Sequence, residues 1–219
     1  ANVGLYHFRS GKMFLKYADE MIENNILVKN EFYIAPMYNL MIRDGLKVTA
    51  ANTEKMHVLG TPKHFEFFVK KVITRFGDKP IALASDHSGF DIKKQCKDIL
   101  DTMALPYIDV GTFTNKACDY PDYVLQVTKL IQDNECSHGI SFCRSGQGAN
   151  ITANKVKGIL SALCFDEYMA QHAIKHNCAN HFSIPSKYVD KAQLQRIIET
   201  MLNTSFDGGR HFTRLQKLL

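Results

Sequence analysis

The sequence of 219 residues lacks several features that would assign it to a common protein class. No apolar run reaches the roughly 18 residues that a membrane-spanning helix needs, and no secretory signal pattern is present. The 27 Lys and Arg residues are spread along the chain, which disfavours nucleic-acid binding despite a formal net charge of +5. A mildly basic protein that acts on anionic small molecules is consistent with this charge.

The six cysteines lack metal-ligand spacing, since none forms a C-x-x-C pair. Scattered cysteines favour a reducing, cytoplasmic compartment, and we expect most of them to be buried small side chains. No His/Cys/Asp cluster has the spacing of a metal site, so we expect neither a metal nor a cofactor. Because the sequence starts at Ala1 rather than at a methionine, we expect a processed piece or part of a longer chain.

After residue 80, apolar runs of strand length alternate with amphipathic helical patterns. The predicted strands are 81–85, 106–110, 139–143, 159–165 and 181–185, and the helices between and after them are 90–103, 122–132, 166–177 and 190–203. This alternation predicts an α/β fold with a five-stranded parallel, doubly wound (Rossmann-like) sheet. Gly, Asp and Pro at 75–80 predict a boundary between a small α+β appendage (1–78) and the main domain (79–219).

The loop after the third predicted strand carries the strongest chemical signal. Ligands of such sheets bind beyond the carboxyl ends of the strands, where Cys143 precedes Arg-Ser-Gly-Gln-Gly. Gly146 and Gly148 allow close backbone approach, and a helix beginning near Asn150 would present free N–H groups to an anion. This field, with Arg144, favours a thiolate in an open cleft. The alternative is a buried Cys143 above a tight turn.

Two familiar loop chemistries are excluded by the residues present. A P-loop requires Lys and then Ser or Thr after its second glycine, and Ala149 follows Gly148. A cysteine phosphatase carries Arg six residues after its cysteine, which is again the position of Ala149. A sugar-phosphate isomerase, in which a cysteine moves a proton and the loop holds an enediolate, stays open beside the buried-cysteine alternative.

Five segments, in order and spacing, resemble the type B ribose-5-phosphate isomerase family, which includes galactose-6-phosphate and allose-6-phosphate isomerases. They are SDHSGFDIK, DYPDY, FCRSGQGANITANK, HNCANHFSIPSK and FDGGRHFTR, and the resemblance covers 79–219. It implies an aldose–ketose isomerase of a pentose 5-phosphate or hexose 6-phosphate. It also implies an enediolate intermediate, no cofactor, and a homodimer with shared active sites.

The resemblance also implies roles for individual residues. Cys143 matches the catalytic base, Ser145 a hydroxyl that assists at the substrate oxygen, and His176 the acid/base that opens the sugar ring. Asp86 and His87 match a pair that contacts the sugar and its phosphate, although either residue could instead cap the next helix. The other implied substrate contacts are Tyr120, Arg144, Gly146, Gln147, Gly148, Asn177, Lys187, Arg210 and Arg214.

Two departures from the family pattern leave the sugar open. Arg144 stands where glycine is most common, and Lys187 stands where arginine is common. Lys presents a point charge rather than a planar fork, so the two are not equivalent at an anion. A non-catalytic phosphosugar-binding module is therefore an alternative, with Arg144 as its main support.

The first 78 residues resemble the C-terminal tail of a sugar-1-phosphate nucleotidyltransferase. The resemblance rests on NEFYIAPMYNLMIRDG and MHVLGTPKHFEFF, where Thr61 and Pro62 predict the start of a helix that runs to about Phe76. The glycine-rich nucleotide-binding start of that family is absent, so this segment alone should not transfer nucleotides. It is either an appendage that packs on other apolar surface or a fragment of a bifunctional protein of nucleotide-sugar (surface polysaccharide) synthesis.

Overall fold

The computed structural model describes residues 6–50 and 75–218. The chain forms two units, Ala1–Met56 and His57–Leu219, and each is described by itself. The functional boundary at 78/79 stays a prediction, and nearly all of the helix predicted at 61–76 lies outside the described residues. Within those residues, no helix combines the length and apolar character that crossing a membrane requires.

The described part of the first unit is mainly helical. It contains α1 (Gly11–Glu23) and α2 (Met37–Arg43). Its small core consists of the buried side chains Tyr17, Met21, Met37 and Met41. The β-type pairing described within residues 6–50 is an isolated bridge between Val28 and Glu31. The β part of the predicted α+β appendage is therefore small in this segment.

The second unit contains a five-stranded parallel sheet in the order β2-β1-β3-β5-β4. The strands are β1 (Ile81–Ser85), β2 (Tyr107–Asp109), β3 (His138–Cys143), β4 (Ser161–Leu163) and β5 (His181–Pro185). The helices are α3 (Phe90–Thr102), α4 (Tyr120–Gln132), α5 (Gln147–Asn154), α6 (Glu167–Asn177), α7 (Lys191–Asn203) and α8 (Arg210–Leu215). The predicted parallel α/β fold is confirmed.

Alternate residues of the central strands face two separate cores. On β1, Ile81 and Leu83 pack in the larger core with residues of α3 and α7. Ala82 and Ala84 point the other way and pack with Val127 of α4. Because helices cover both faces, β1, β3 and β5 are buried along their whole length, which explains why they contain no charged Asp, Glu, Lys or Arg residue.

Helix α5 begins three residues earlier than the sequence indicated. The prediction placed its start near Asn150, but α5 begins at Gln147. Gly146 precedes it with a φ of 73°, a left-handed conformation that turns the chain directly from the loop into the helix. The first-turn N–H groups of Gly148 and Ala149 therefore point back toward the end of β3 without an intrahelical acceptor.

A buried polar chain joins three strands to α5. The Ser161 hydroxyl donates to Asn150 Oδ1 at 2.8 Å and lies 2.7 Å from His181 Nδ1. With its proton committed to Asn150, Ser161 accepts from Nδ1–H, so Nε2 accepts from the Ser141 hydroxyl at 2.9 Å. Burial lowers the pKa of His181 to about 3, and the ring is therefore neutral in the folded protein.

The buried His181 should make the stability of this unit depend on pH. Its folded-state pKa lies below the unfolded value near 6.5, so the unfolded chain binds the extra proton as the pH falls from about 6.5 toward 3. The neutral His181 should make its full contribution to stability above about pH 6.5. Protonation of this residue in the unfolded chain should lower the free energy of unfolding by about 2 kcal/mol between pH 7 and pH 5. Urea unfolding at both pH values measures the loss.

Two variants make this measurement specific. His181→Asn should be less stable at pH 7 but should lose less on acidification, whereas His7→Asn, at an exposed position, should keep the full pH dependence. If the free energy of unfolding of His181→Asn falls with pH as steeply as that of the wild type, the pH dependence comes from other groups.

Candidate active site

The carboxyl ends of β1, β3 and β5 bring one set of predicted residues together. Cys143 ends β3 opposite Pro185 of β5. Beyond the paired strands, Ser186 N donates to Cys143 O at 3.0 Å and Lys187 N donates to Arg144 O at 3.1 Å. The backbone of the loop after Cys143 is thus fixed to the segment after β5, while the Arg144 and Lys187 side chains remain exposed.

The Cys143 side chain is more enclosed than the sequence analysis expected. The residue is 3% exposed and belongs to a cluster with Val124 and Ala149, against which the half-buried Tyr120 packs. The expectation of an open cleft is therefore wrong for the single chain. A substrate atom reaches this thiol only if the surrounding side chains make room.

Asp86 and His87 follow β1 and begin a short 3₁₀ turn (His87–Gly89). Asp86 is buried, and its Oδ1 accepts hydrogen bonds from Ser88 N and Gly89 N, both at 2.9 Å, and from the Ser88 hydroxyl at 2.6 Å. Asp86 therefore caps this turn. His87 is exposed, and its Nδ1 lies 3.1 Å from the Cys118 carbonyl oxygen and 3.2 Å from the Cys118 amide nitrogen. This contact leaves Nε2 as the ring nitrogen available to a ligand.

The two loop glycines are packed too closely to carry a side chain. A Cβ on Gly146 would lie 2.3 Å from Leu163 Cδ1, and a Cβ on Gly148 would lie 2.4 Å from Tyr120 Cζ. The Tyr120 ring therefore rests directly on the first turn of α5. Ser145 and Gln147, on either side of Gly146, are exposed. The loop in which the sequence predicts an anion pocket is thus a closely packed backbone turn, and the anion pocket itself stays a prediction.

The remaining predicted residues lie at the opposite edge of the sheet. Helix α6 runs back from the carboxyl end of β4 and ends at Asn177, just before the amino end of β5 at His181. The four residue steps of β5 alone span about 13 Å. The residues at this far edge are His176, Asn177, Arg210 and Arg214. A single chain does not bring them together with Cys143.

The far-edge set forms a basic cluster around two stacked imidazoles. The rings of His176 and His211 lie 4.2 Å apart, with their planes 2° from parallel. Burial, followed by the charges of His176, Arg210 and Arg214, lowers the pKa of His211, and Asp207 opposes this shift. The surplus of positive charge suits a phosphate dianion.

One group of side chains within 6–50 and 75–218 has the composition of a metal site. Ligand-type atoms of His176, Asp207 and His211 all lie within 4.8 Å of one another. The two imidazoles lie in parallel planes, however, and ring-nitrogen lone pairs lie in the ring planes, so they do not converge on one point. Arg210 precedes His211 directly and Arg214 follows it by three residues, so the cluster fits an anion better than a cation. The prediction that no metal is needed stays a prediction.

Sequence reasoning missed a buried lysine behind the first set. The Lys93 side chain on α3 is 1% exposed, forms an ion pair with Asp109 and donates to the Thr112 carbonyl at 2.8 Å. Burial lowers the pKa of Lys93, and Asp109 opposes the shift. Since Gly111 O accepts from Ser85 N at 2.8 Å, Lys93 helps to fix the turn that lies beside Asp86.

A family model described as Ribose/Galactose Isomerase matches residues 81–218. The chain belongs to this family. A putative sugar phosphate isomerase, YwlF, of Bacillus subtilis is 37% identical over 139 residues, which are 63% of this chain and 93% of that protein. Ribose-5-phosphate isomerase B of Escherichia coli is 34% identical over 140 residues, 64% of this chain and 94% of the relative.

Solved structures agree with this membership of the ribose/galactose isomerase family. A ribose 5-phosphate isomerase of Thermotoga maritima is 39% identical, with a TM-score of 0.63, over 64% of this chain and 97% of that one. A ribose-5-phosphate isomerase B of Mycoplasma genitalium with bound ribulose-5-phosphate is 34% identical, with a TM-score of 0.61, over 64% and 94%. The predicted family and the prediction of a sugar-phosphate isomerase are confirmed. The likeness of the first 78 residues to a nucleotidyltransferase tail stays a prediction.

In this isomerase unit, the loss of stability caused by close packing at Gly146 can be measured apart from the loss caused by its left-handed backbone. Gly146→Ala adds both a left-handed alanine and a contact at 2.3 Å with Leu163. Gly158→Ala provides the control, because Gly158 has a φ of 82° but open space around a new Cβ. We expect each to lose about 1–2 kcal/mol from the backbone, and Gly146→Ala to lose about 1 kcal/mol more, because the Leu163 methyl group can rotate away but the Pro185 backbone N, 3.3 Å from the new Cβ, cannot. Equal losses in urea unfolding would contradict the packing argument.

Proposed function

We propose that the chain isomerises a sugar phosphate, either a pentose 5-phosphate or a hexose 6-phosphate, between its aldose and ketose forms, with Cys143 as the base. Family membership and the place of Cys143 at the end of β3, beside the start of α5, support this proposal. The Cys143 thiolate removes the proton from the carbon next to the carbonyl and returns it to the neighbouring carbon. The intermediate between these steps is an enediolate.

The backbone at the start of α5 supplies stabilisation of the enediolate oxygen. Gly148 N–H and Ala149 N–H have no intrahelical acceptor and point toward the end of β3. Each preorganised donor of this type lowers the activation free energy by roughly 3–4 kcal/mol. The exposed Ser145 hydroxyl, in the same loop, assists at the substrate oxygen.

We propose further that each complete site is built by two copies of the chain. Cys143, His87 and Lys187 lie at the carboxyl edge of the sheet, whereas His176 and the two arginines Arg210 and Arg214 lie at the amino edge. Because these edges are separated by about 13 Å or more within one chain, the second set reaches Cys143 only from a partner. In the resulting homodimer, His176 opens the sugar ring and the arginines bind the phosphate.

The identity of the sugar depends on two side chains that the family pattern does not fix. Arg144 and Lys187 are exposed on adjoining, hydrogen-bonded segments beside the base. They bring additional positive charge to the mouth of the site. Measuring ketose formation from a panel of pentose 5-phosphates and hexose 6-phosphates identifies the preferred substrate.

Replacing the proposed base should abolish the reaction without unfolding the protein. Cys143→Ala is expected to lower kcat by roughly 10²- to 10⁴-fold, because general-base catalysis is worth about that much. Cys118→Ala is the matched control: Cys118 contacts His87 only through backbone atoms, so activity should be retained. Full activity in Cys143→Ala would exclude this residue as the base.

Mixed dimers test the shared site directly. Cys143→Ala and His176→Ala should each be inactive alone, but a refolded one-to-one mixture should recover about a quarter of wild-type activity. Half of the dimers are then heterodimers, and one of their two sites has both residues. Absence of recovery, with heterodimers verified by mass spectrometry, would place Cys143 and His176 in the same protomer's site or remove the shared-site proposal.

A non-catalytic phosphosugar-binding module is the second candidate, and the burial of Cys143 favours it. It predicts that sugar phosphates raise the melting temperature while none of the panel is converted. Conversion of any one sugar phosphate would exclude this candidate.

A further inference from the structure

We infer that His211 is a positioning residue whose flat ring holds the His176 imidazole in the orientation that ring opening requires. The inference rests on the role proposed for His176. It adds a residue to which neither the family comparison nor the sequence gives a task. The observation that carries it is the nearly parallel stack of the two rings at 4.2 Å.

The His176 ring needs an external support because of its place in the chain. It lies in the last turn of α6, which Cys178 ends with a left-handed φ of 49°. Its side chain is half-buried, and the ring is contacted edge-to-face by His172 at 4.7 Å. An edge contact limits the ring less than a parallel face does, so His211 provides the larger constraint.

The position of His211 is itself fixed from two directions. The residue is 9% exposed and is the second residue of α8, where Phe212 packs in a core with Cys178 and Phe206. Upstream of α8, Asp207 N donates to Lys175 O at 2.9 Å, which joins this segment to the last turn of α6. The spacing between the two imidazoles is therefore set by a backbone hydrogen bond upstream of α8 and by side-chain packing within it.

A stacked neighbour suits the chemistry better than a hydrogen-bonding one. Ring opening transfers the proton of the anomeric hydroxyl to a base and delivers a proton to the ring oxygen, while the bond from C1 to that oxygen breaks and C1=O forms. An imidazole that does both needs its edge nitrogens free. Contact through the ring face leaves them free, and burial keeps the pKa of His211 low, so the supporting ring adds no charge near Arg210 and Arg214.

Ring opening can be measured apart from isomerisation. The probe is 2-deoxyribose 5-phosphate, which lacks the C2 hydroxyl and so cannot form a ketose, but still exchanges its α and β anomers through the open chain. Magnetisation-exchange NMR with and without protein gives the catalysed exchange rate. His176→Ala should remove this catalysis, whereas the control variant Cys118→Ala should retain it.

Two substitutions at position 211 distinguish support by a flat ring from other roles. His211→Phe keeps a flat stacking partner and should hold the exchange rate within about threefold of wild type. His211→Ala removes the partner and should slow exchange roughly ten- to hundredfold, since a small misplacement of a catalytic group has this effect. Retained exchange in His211→Ala overturns the inference. Equal loss in both variants also overturns it, because the ring nitrogens would then be essential.

A structural readout keeps the test independent of turnover. Stacking at this distance shifts the His176 ring protons upfield, and this shift should persist in His211→Phe and disappear in His211→Ala, both folded by circular dichroism. If the wild-type protein forms ketose from a sugar phosphate but does not catalyse anomer exchange, the isomerase proposal stands and the inference about His211 fails. If no sugar phosphate is converted but the anomers exchange as described, the isomerase proposal fails and the inference about His211 stands.

Discussion

In a parallel sheet, every connection must carry the chain back across the sheet before the next strand begins. This requirement sorts the functional residues of this protein into two groups. Residues that follow strands collect at the carboxyl edge around Cys143, and residues at the ends of returning helices collect at the amino edge around His176. Because α6 runs back across the sheet and ends at Asn177, it places His176 at the edge opposite Cys143 of the same chain, which is the basis of the proposal that two copies build each site.

The carboxyl edge is organised by backbone contacts more than by ion pairs. Gly146 and Gly148 bring the loop against Leu163 and the Tyr120 ring, and Ser183 donates to Gly146 O at 2.6 Å. Hydrogen bonds from the segment after β5 hold the other side of the loop. This packing fixes the backbone N–H groups at the start of α5, and it also accounts for the enclosure of the Cys143 thiol.

Much of the fold was predictable because its signals are local. The central strands are short, largely apolar runs, and β1 and β5 were predicted with their observed bounds, whereas β4 is four residues shorter than predicted. The start of α5 was misplaced because a left-handed glycine replaces a polar cap. Asp86 was recognised as a candidate for both capping and substrate contact, and sequence alone does not separate these roles.

Features that depend on tertiary contacts are harder to predict from the sequence. Lys93 occupies the buried stripe of α3 with Cys96 and Leu100, a position where an apolar residue is normal, and only the fold shows that Asp109 lies opposite. The enclosure of Cys143 depends on Tyr120, which is 23 positions away in sequence. The stack of His176 on His211 joins two helices with no shared periodicity. Such pairings follow from topology, so composition and spacing do not reveal them.

The backbone hydrogen bond from Lys187 N to Arg144 O bears on how the side chains of this loop change during evolution. The main chain holds the reactive loop in place, whichever side chains project from positions 144 and 187. Under the function proposed above, inherited changes at these two positions alter which sugar is accepted while the backbone around Cys143 is preserved.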